Sequence, residues 1–126
     1  MNVEEKLKEA YATARNYPEL AAKLIDAGIL SYTVEVAAGL MFYRLANGET
    51  IFHGNNAEAH SIATTFNHDE VVKTIRDNQQ GKTTYPEFME GIANAGVRFY
   101  EATLQGDRKR VTYMGTGGFY EEEIPL

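Results

Sequence analysis

The hydrophobic and polar positions of this chain form one pattern that occurs twice. Residues 16–32 read NYPELAAKLIDAGILSY and residues 84–100 read TYPEFMEGIANAGVRFY, with a constant offset of 68 residues from Tyr17 to Tyr85. In each copy the apolar residues first recur at the spacing of one helical face and then, after a glycine, alternate as in a strand. The sequence therefore predicts a repeated unit in which a short amphipathic helix turns into a strand.

Each of these helices has a start signal and a stop signal. Asn16 and Thr84 are favourable N-cap residues, and a glutamate three positions later has the spacing of a capping box. Gly28 and Gly96 follow the last apolar positions, where helices often end in a left-handed residue that glycine adopts without steric penalty. Because capping chemistry accounts for the whole motif, the repeat indicates a structural unit rather than an active site.

The remaining patterns place one further helix before each unit and two further strands after it. The strands expected from alternation and turn signals are 29–36, 40–45, 49–53, 97–104, 109–114 and 118–124. We therefore predict an α+β fold in which four helices pack on an antiparallel sheet.

The same patterns define the organisation of the chain. We predict a single domain, 1–126, built from two structural repeats at about 2–54 and 69–126, each a helix, a helix and a three-stranded meander. A connector at 55–68 joins the repeats, and residues 61–66 within it could form an additional strand.

Composition limits the partners and the location that we expect. The chain has 126 residues, no Cys and a formal net charge of −6. The lack of Cys excludes disulfides and thiolate chemistry, and the negative charge argues against sequence-independent binding of nucleic acid. No apolar run approaches the roughly 20 residues that span a bilayer. Since the N-terminus also lacks the regions of a signal peptide, we expect a cytoplasmic protein that binds no membrane.

A basic run at 108–110 could suggest nucleic-acid binding, but an acidic run follows it. In the expected hairpin Lys109 lies opposite Glu123 and Arg110 lies opposite Glu122, so that the charges pair across the strands. The three histidines are separated by seven and eight residues, which matches no common zinc pattern. We therefore predict no metal and no cofactor, and we consider nucleic acid an improbable partner.

Tyrosines are the most suggestive candidates for a binding site. Tyr32 and Tyr100 are repeat partners on the inward face of their strands, and Tyr43 and Tyr113 occupy comparable places in the next strands. Phenols combine apolar area with a polar tip, so this group could line a small-molecule pocket together with His53. The alternative is that they are core or interface aromatics whose hydroxyls are already hydrogen-bonded.

A second candidate surface lies on the opposite face of the predicted sheet. Alternation along the first and fourth strands places Ile29, Val97 and Phe99 on that face. Exposed apolar side chains on a sheet mark a contact surface. We therefore predict an interaction surface there, with a second copy of the chain as one partner and an unknown protein as another.

Four short motifs in the chain resemble those of a known family. They are QQGKT at 79–83, YPEF at 85–88, AGV at 95–97 and EEIP at 122–125. The chain is similar in them to a small bacterial and phage family of unknown function, often labelled "phage envelope protein", over 68–126 and more weakly over 16–45. The resemblance implies the same fold and no particular activity, because that family has no established reaction.

The sequence thus leaves the function open among three readings. It favours a non-catalytic binding or interaction module of a phage-associated family, because no catalytic or nucleotide motif is recognisable. The alternative is a small-molecule-binding protein or an enzyme of unknown class that uses the tyrosine-lined pocket. The third reading is a DNA mimic from a mobile element. Basic residues are scattered among the acidic ones, and this weakens the case for a DNA mimic.

Overall fold

A computed structural model describes residues 2–54 and 59–126 and contains four helices and six strands. The helices are α1 (Val3–Thr13), α2 (Tyr17–Asp26), α3 (His68–Gln79) and α4 (Tyr85–Asn94). The strands are β1 (Ile29–Glu35), β2 (Leu40–Leu45), β3 (Thr50–Gly54), β4 (Val97–Thr103), β5 (Arg110–Gly115) and β6 (Gly118–Glu123). The predicted α+β class is confirmed, and each predicted strand boundary lies within one residue of the observed one.

All six strands form one antiparallel sheet with the order β3-β2-β1-β4-β5-β6. The central pair joins the two halves of the chain, with Thr33 opposite Glu101. Helices from both halves contact the same side of the sheet, where inward residues such as Val34 and Ala102 form one core with Leu24 and Ile92. None of the described helices is long and apolar enough to cross a membrane.

The helices begin where the capping chemistry predicts. Asn2, Asn16 and Asn67 each accept a hydrogen bond from the backbone N–H three residues later. Thr84 forms a complete capping box, because its backbone N–H also donates to Glu87 Oε1 at 2.9 Å. Each such cap stabilises a helix by about 1 kcal/mol, so these contacts fix the starts of all four helices.

The glycines that end α2 and α4 have the same conformation but different surroundings. Gly28 and Gly96 both have φ of +91°. A Cβ at Gly28 would meet nothing within 4 Å, whereas one at Gly96 would lie 2.4 Å from the carbonyl oxygen of Thr65. The end of the connector is held there, because the Asn67 N–H donates to the Ala95 carbonyl at 2.8 Å. Only the second helix stop is therefore buried beneath another segment.

Two of the three residues predicted for the contact surface face the core instead. Ile29 and Val97 are 2% and 0% exposed, whereas Phe99 stays outward at 37%. The strand register shifts between Ile29 and Ser31, and it shifts again between Val97 and Phe99. An extra residue in a strand reverses the facing of everything before it. The prediction of a contact surface is thus wrong for Ile29 and Val97.

The connector and the last hairpin also differ from expectation. Residues 61–66 form no strand, and 55–58 of the connector lie outside the described residues. In the hairpin Arg110 lies opposite Glu123, one position from the predicted register. The reason is a two-residue turn with Gly117 at φ +80°. The charges still pair across the strands, with Arg110 Nε 3.5 Å from Glu121 Oε1.

Candidate functional site: a tyrosine-lined cavity

A cavity of about 980 Å³ lies between the helices and the inner face of the sheet. Ligand sites in proteins typically have volumes of about 300–1,000 Å³. Seven of the eight tyrosines of the chain line it, namely Tyr11, Tyr17, Tyr32, Tyr43, Tyr85, Tyr100 and Tyr113. The eighth, Tyr120, stacks against Tyr113 with ring centroids 6.3 Å apart. The walls of the cavity are therefore rich in phenol rings.

Four of these tyrosines are placed by strand register. Tyr32 lies opposite Tyr43 with ring centroids 5.5 Å apart and an interplanar angle of 38°. Tyr100 lies opposite Tyr113 with ring centroids 5.4 Å apart and the same angle. Because alternate residues of a strand share a face, both pairs point beneath the helices. The two halves thus contribute equivalent pairs of rings to the cavity.

Two further tyrosines come from the helices and were not among the predicted pocket residues. Tyr17 and Tyr85 are the first residues of α2 and α4, directly before the prolines of the helix starts. Their hydroxyl oxygens lie 2.5 Å from that of Tyr32 and 3.4 Å from that of Tyr100, respectively. The sequence repeat could have identified them as a pair, because an identical Tyr precedes both Pro-Glu pairs.

The equivalent strand tyrosines Tyr43 and Tyr113 have different hydrogen bonds. The Tyr43 hydroxyl bonds to that of Tyr11 at 2.6 Å. At the offset of 68 residues Gln79 takes the place of Tyr11, and its Nε2 donates to Glu122 Oε1 at 3.2 Å. No hydrogen bond of the Tyr113 hydroxyl is found within residues 2–54 and 59–126. Every fully buried side-chain oxygen or nitrogen of those residues has a hydrogen-bond partner. The Tyr113 hydroxyl has none, so it is not fully buried and is accessible from the cavity.

Burial keeps the phenols of the cavity protonated. It raises the pKa of Tyr17 to about 12 and also raises the pKa values of Tyr32, Tyr100 and Tyr113 above the usual value. The physical cause is that a phenolate loses its hydration when it is buried. At neutral pH these hydroxyls can therefore donate hydrogen bonds, and none of them supplies a negative charge.

The Glu122 carboxylate, which lines the cavity, is paired with a cation. Glu122 Oε2 lies 2.8 Å from Arg76 Nη2 and accepts a hydrogen bond from the Tyr120 hydroxyl at 2.8 Å. Its Oε1 accepts from Gln79. This network closes the end of the cavity beside Tyr113 and leaves little net charge there.

The structure places all five predicted pocket residues around the same cavity. Tyr32, Tyr43, Tyr100 and Tyr113 form its floor, and the His53 ring lies edge-on to Tyr43 with ring centroids 5.5 Å apart. His53 stands at the exposed rim, on edge strand β3. Among the residues that the structure describes, no group of three or more His, Asp or Glu could hold a metal ion.

The family of the chain is shown by a match to a family model. Residues 5–118 match DUF1398, whose description is a protein of unknown function. The chain belongs to this family. No curated protein matches it. The DUF1398 match includes all seven tyrosines of the cavity and ends before Tyr120 and Glu122, so the cavity is built almost entirely from the family region.

Proposed function

We propose that this DUF1398 protein binds a neutral, largely aromatic small molecule in the tyrosine-lined cavity. The observation that carries the proposal is the convergence of seven tyrosines on one cavity of about 980 Å³. Aromatic pairs in offset or edge-to-face geometry contribute about 0.5–1.5 kcal/mol each beyond the burial of area. A flat ligand between these rings would therefore gain affinity from several walls at once.

Charge supports a neutral ligand. The phenols stay protonated, Glu122 is paired with Arg76, and Arg15 at the mouth of the cavity is paired with Glu19 at 3.2 Å. A charged ligand would have to leave water without an unpaired opposite charge to receive it, which is costly. A neutral ligand does not incur this cost.

The same protonation favours binding over catalysis. A general acid or base works best when its pKa lies near the working pH. Burial moves the pKa values of Tyr17, Tyr32 and Tyr100 away from neutrality. We therefore propose a non-catalytic binding protein, with an enzyme of unknown class as the less supported alternative.

Native mass spectrometry of freshly purified protein tests this proposal when the native mass is compared with the mass of the denatured protein. We expect a small molecule that is retained in the native state and released on denaturation. Met41→Trp should lower retention, because Met41 lines the cavity and the larger tryptophan side chain would take up part of its volume. Phe42→Trp is the matched control, since Phe42 lies next in the same strand and packs against Phe52 on the opposite face.

Two results would contradict the proposal. One is a native protein without extra mass whose melting temperature does not respond to neutral aromatic compounds. The other is a retained molecule whose occupancy is lowered by Phe42→Trp as much as by Met41→Trp.

A second candidate is self-association through the face of the sheet that the helices leave uncovered. Phe52 and Phe119 are 69% and 63% exposed on that face, and Phe99 and Leu40 are each 37% exposed. Large exposed apolar side chains on one face mark interaction surfaces. The proposed occupant is a second copy of the chain, and the same native spectra would show it as a dimer that Phe52→Ser and Phe119→Ser weaken.

Three further predictions remain proposals. Internal duplication, with repeats at about 2–54 and 69–126, is supported by the equal order of elements and by the matching φ values of Gly28 and Gly96. The phage association rests on the family resemblance alone. A cytoplasmic location rests on the sequence argument given above.

A further inference from the structure

The difference between the two halves of the cavity points to one hydroxyl. Tyr43 and Tyr113 are equivalent in the sheet and are 1% and 6% exposed. The Tyr43 hydroxyl is bonded to Tyr11, whereas the Tyr113 hydroxyl has no partner in the described part of the chain. Because this hydroxyl is accessible from the cavity, it can donate a hydrogen bond to a molecule that binds there.

Neighbouring acceptors in the protein are already engaged. Glu122 lies near enough to Tyr113 to influence it electrostatically, but it already accepts from Gln79, Arg76 and Tyr120. Gln79 itself is bonded to Glu122 rather than turned toward the Tyr113 hydroxyl. The Tyr113 hydroxyl is therefore left to donate to water or to a ligand in the cavity.

We infer that the Tyr113 hydroxyl donates a hydrogen bond to an oxygen acceptor of the bound ligand and so fixes its orientation. This inference rests on the proposed function. Tyr113 acts as the donor because it is protonated, and because a phenol oxygen is a poor acceptor when its lone pair is delocalised into the ring. The ligand class is thus an aromatic molecule with a neutral carbonyl or similar oxygen, which lies toward the second half of the cavity.

Benzophenone and diphenylmethane form a matched pair of probes, because they differ only in a carbonyl in place of a methylene. Their affinities would be measured by titration calorimetry for the wild type, Tyr113→Phe and the equivalent Tyr43→Phe. We expect Tyr113→Phe to weaken benzophenone about three- to tenfold, as for loss of one hydrogen bond, and to change diphenylmethane by less than about twofold. Tyr43→Phe also changes the lining of the cavity, but it should weaken benzophenone less than Tyr113→Phe does, because the Tyr43 hydroxyl is already bonded to Tyr11.

An infrared measurement separates a direct hydrogen bond from an indirect structural effect. The carbonyl stretch of bound benzophenone should lie at lower frequency in the wild type and in Tyr43→Phe than in Tyr113→Phe. Thermal unfolding of each variant confirms that it is folded under the conditions of the titration.

The outcomes distinguish this inference from the proposed function. If Tyr113→Phe weakens both probes equally, or if Tyr43→Phe weakens benzophenone just as much, the inference is overturned and the binding cavity stands. If neither probe binds, or if Met41→Trp leaves their affinities unchanged, both the inference and the proposed function are overturned.

Discussion

The two halves of the protein have the same order of helices and strands but differ in how their side chains are engaged. In the first half both inward strand tyrosines, Tyr32 and Tyr43, have hydroxyl partners on helices. In the second half Tyr100 has such a partner at 3.4 Å, and Tyr113 has none among the described residues. The two halves thus share a backbone arrangement but differ in the hydrogen bonding of their second inward tyrosine.

The glycine stops show the reverse asymmetry. Gly28 ends α2 in open space, whereas Gly96 ends α4 against the backbone at Thr65. The second half, in which the Tyr113 hydroxyl has no partner among the described residues, is therefore also the half in which the glycine at the helix end is more tightly enclosed. Tight packing at the end of the helix and openness in the cavity are separate properties of the same repeat.

The largest expected effect concerns the buried tyrosine ring that each half places at the centre of the sheet. Tyr32→Ala and Tyr100→Ala should each lower the free energy of unfolding by on the order of 3–5 kcal/mol, because each removes a buried ring at the centre of the sheet. Urea unfolding followed by circular dichroism measures this. Tyr32→Phe and Tyr100→Phe are controls that keep the ring. If either alanine variant is as stable as the wild type, the ring that was removed is not part of the core.

The next effect tests where the halves differ. Gly28→Ala should cost about 1 kcal/mol, because alanine resists positive φ. Gly96→Ala should cost at least about 2 kcal/mol, since its Cβ would also meet the Thr65 oxygen at 2.4 Å. The same urea experiment compares them. Equal losses would mean that the connector moves away without cost and that the enclosure of Gly96 is unimportant.

A smaller effect concerns pH. In the unfolded chain a phenol loses its proton near pH 10, but burial raises the pKa of Tyr17 to about 12 in the folded protein. Its contribution to stability is thus complete below about pH 10 and is lost as the pH rises toward about 12. At about pH 11 the loss due to Tyr17 is roughly 1 kcal/mol. Because the pKa values of other buried phenols are also raised, the Tyr17 contribution is the difference between the wild type and Tyr17→Phe in the unfolding free energy lost from about pH 8 to about pH 11.

The halves should respond differently to removal of these phenols. Tyr17→Phe should reduce the loss of unfolding free energy at alkaline pH more than Tyr85→Phe does. The reason is that Tyr85 is 45% exposed, so that burial affects its pKa less. If the two variants keep the same pH dependence as the wild type, the phenols are not the source of the alkaline instability.

Local signals in the sequence were sufficient for most of the fold. Helix starts such as Thr84 and helix stops such as Gly96 each act over a few residues, so a short stretch of sequence determines them. Strand register is different. The irregularity between Ile29 and Ser31 arises from pairing with β2 across the sheet, and alternation within one strand cannot reveal it.

The candidate site was only partly predictable for a similar reason. The four strand tyrosines could be found because alternation places Tyr32 and Tyr100 on one face. Tyr17 and Tyr85 were interpreted as part of the capping motif, since their approach to the strand tyrosines depends on how the helices cross the sheet. The free hydroxyl of Tyr113 depends on Gln79 standing where the first half has Tyr11, a contact that only tertiary structure defines.

The central seam between β1 and β4 also has a consequence for folding kinetics. The strands within each half are neighbours in sequence, whereas the seam joins residues such as Thr33 and Glu101, which are 68 positions apart. Closing a longer loop costs more entropy, and long-range pairing slows folding. We therefore expect each meander to form early and closure of the seam to be the slow step. Because the cavity is complete only after that closure, an occupant would act mainly by slowing unfolding rather than by speeding folding.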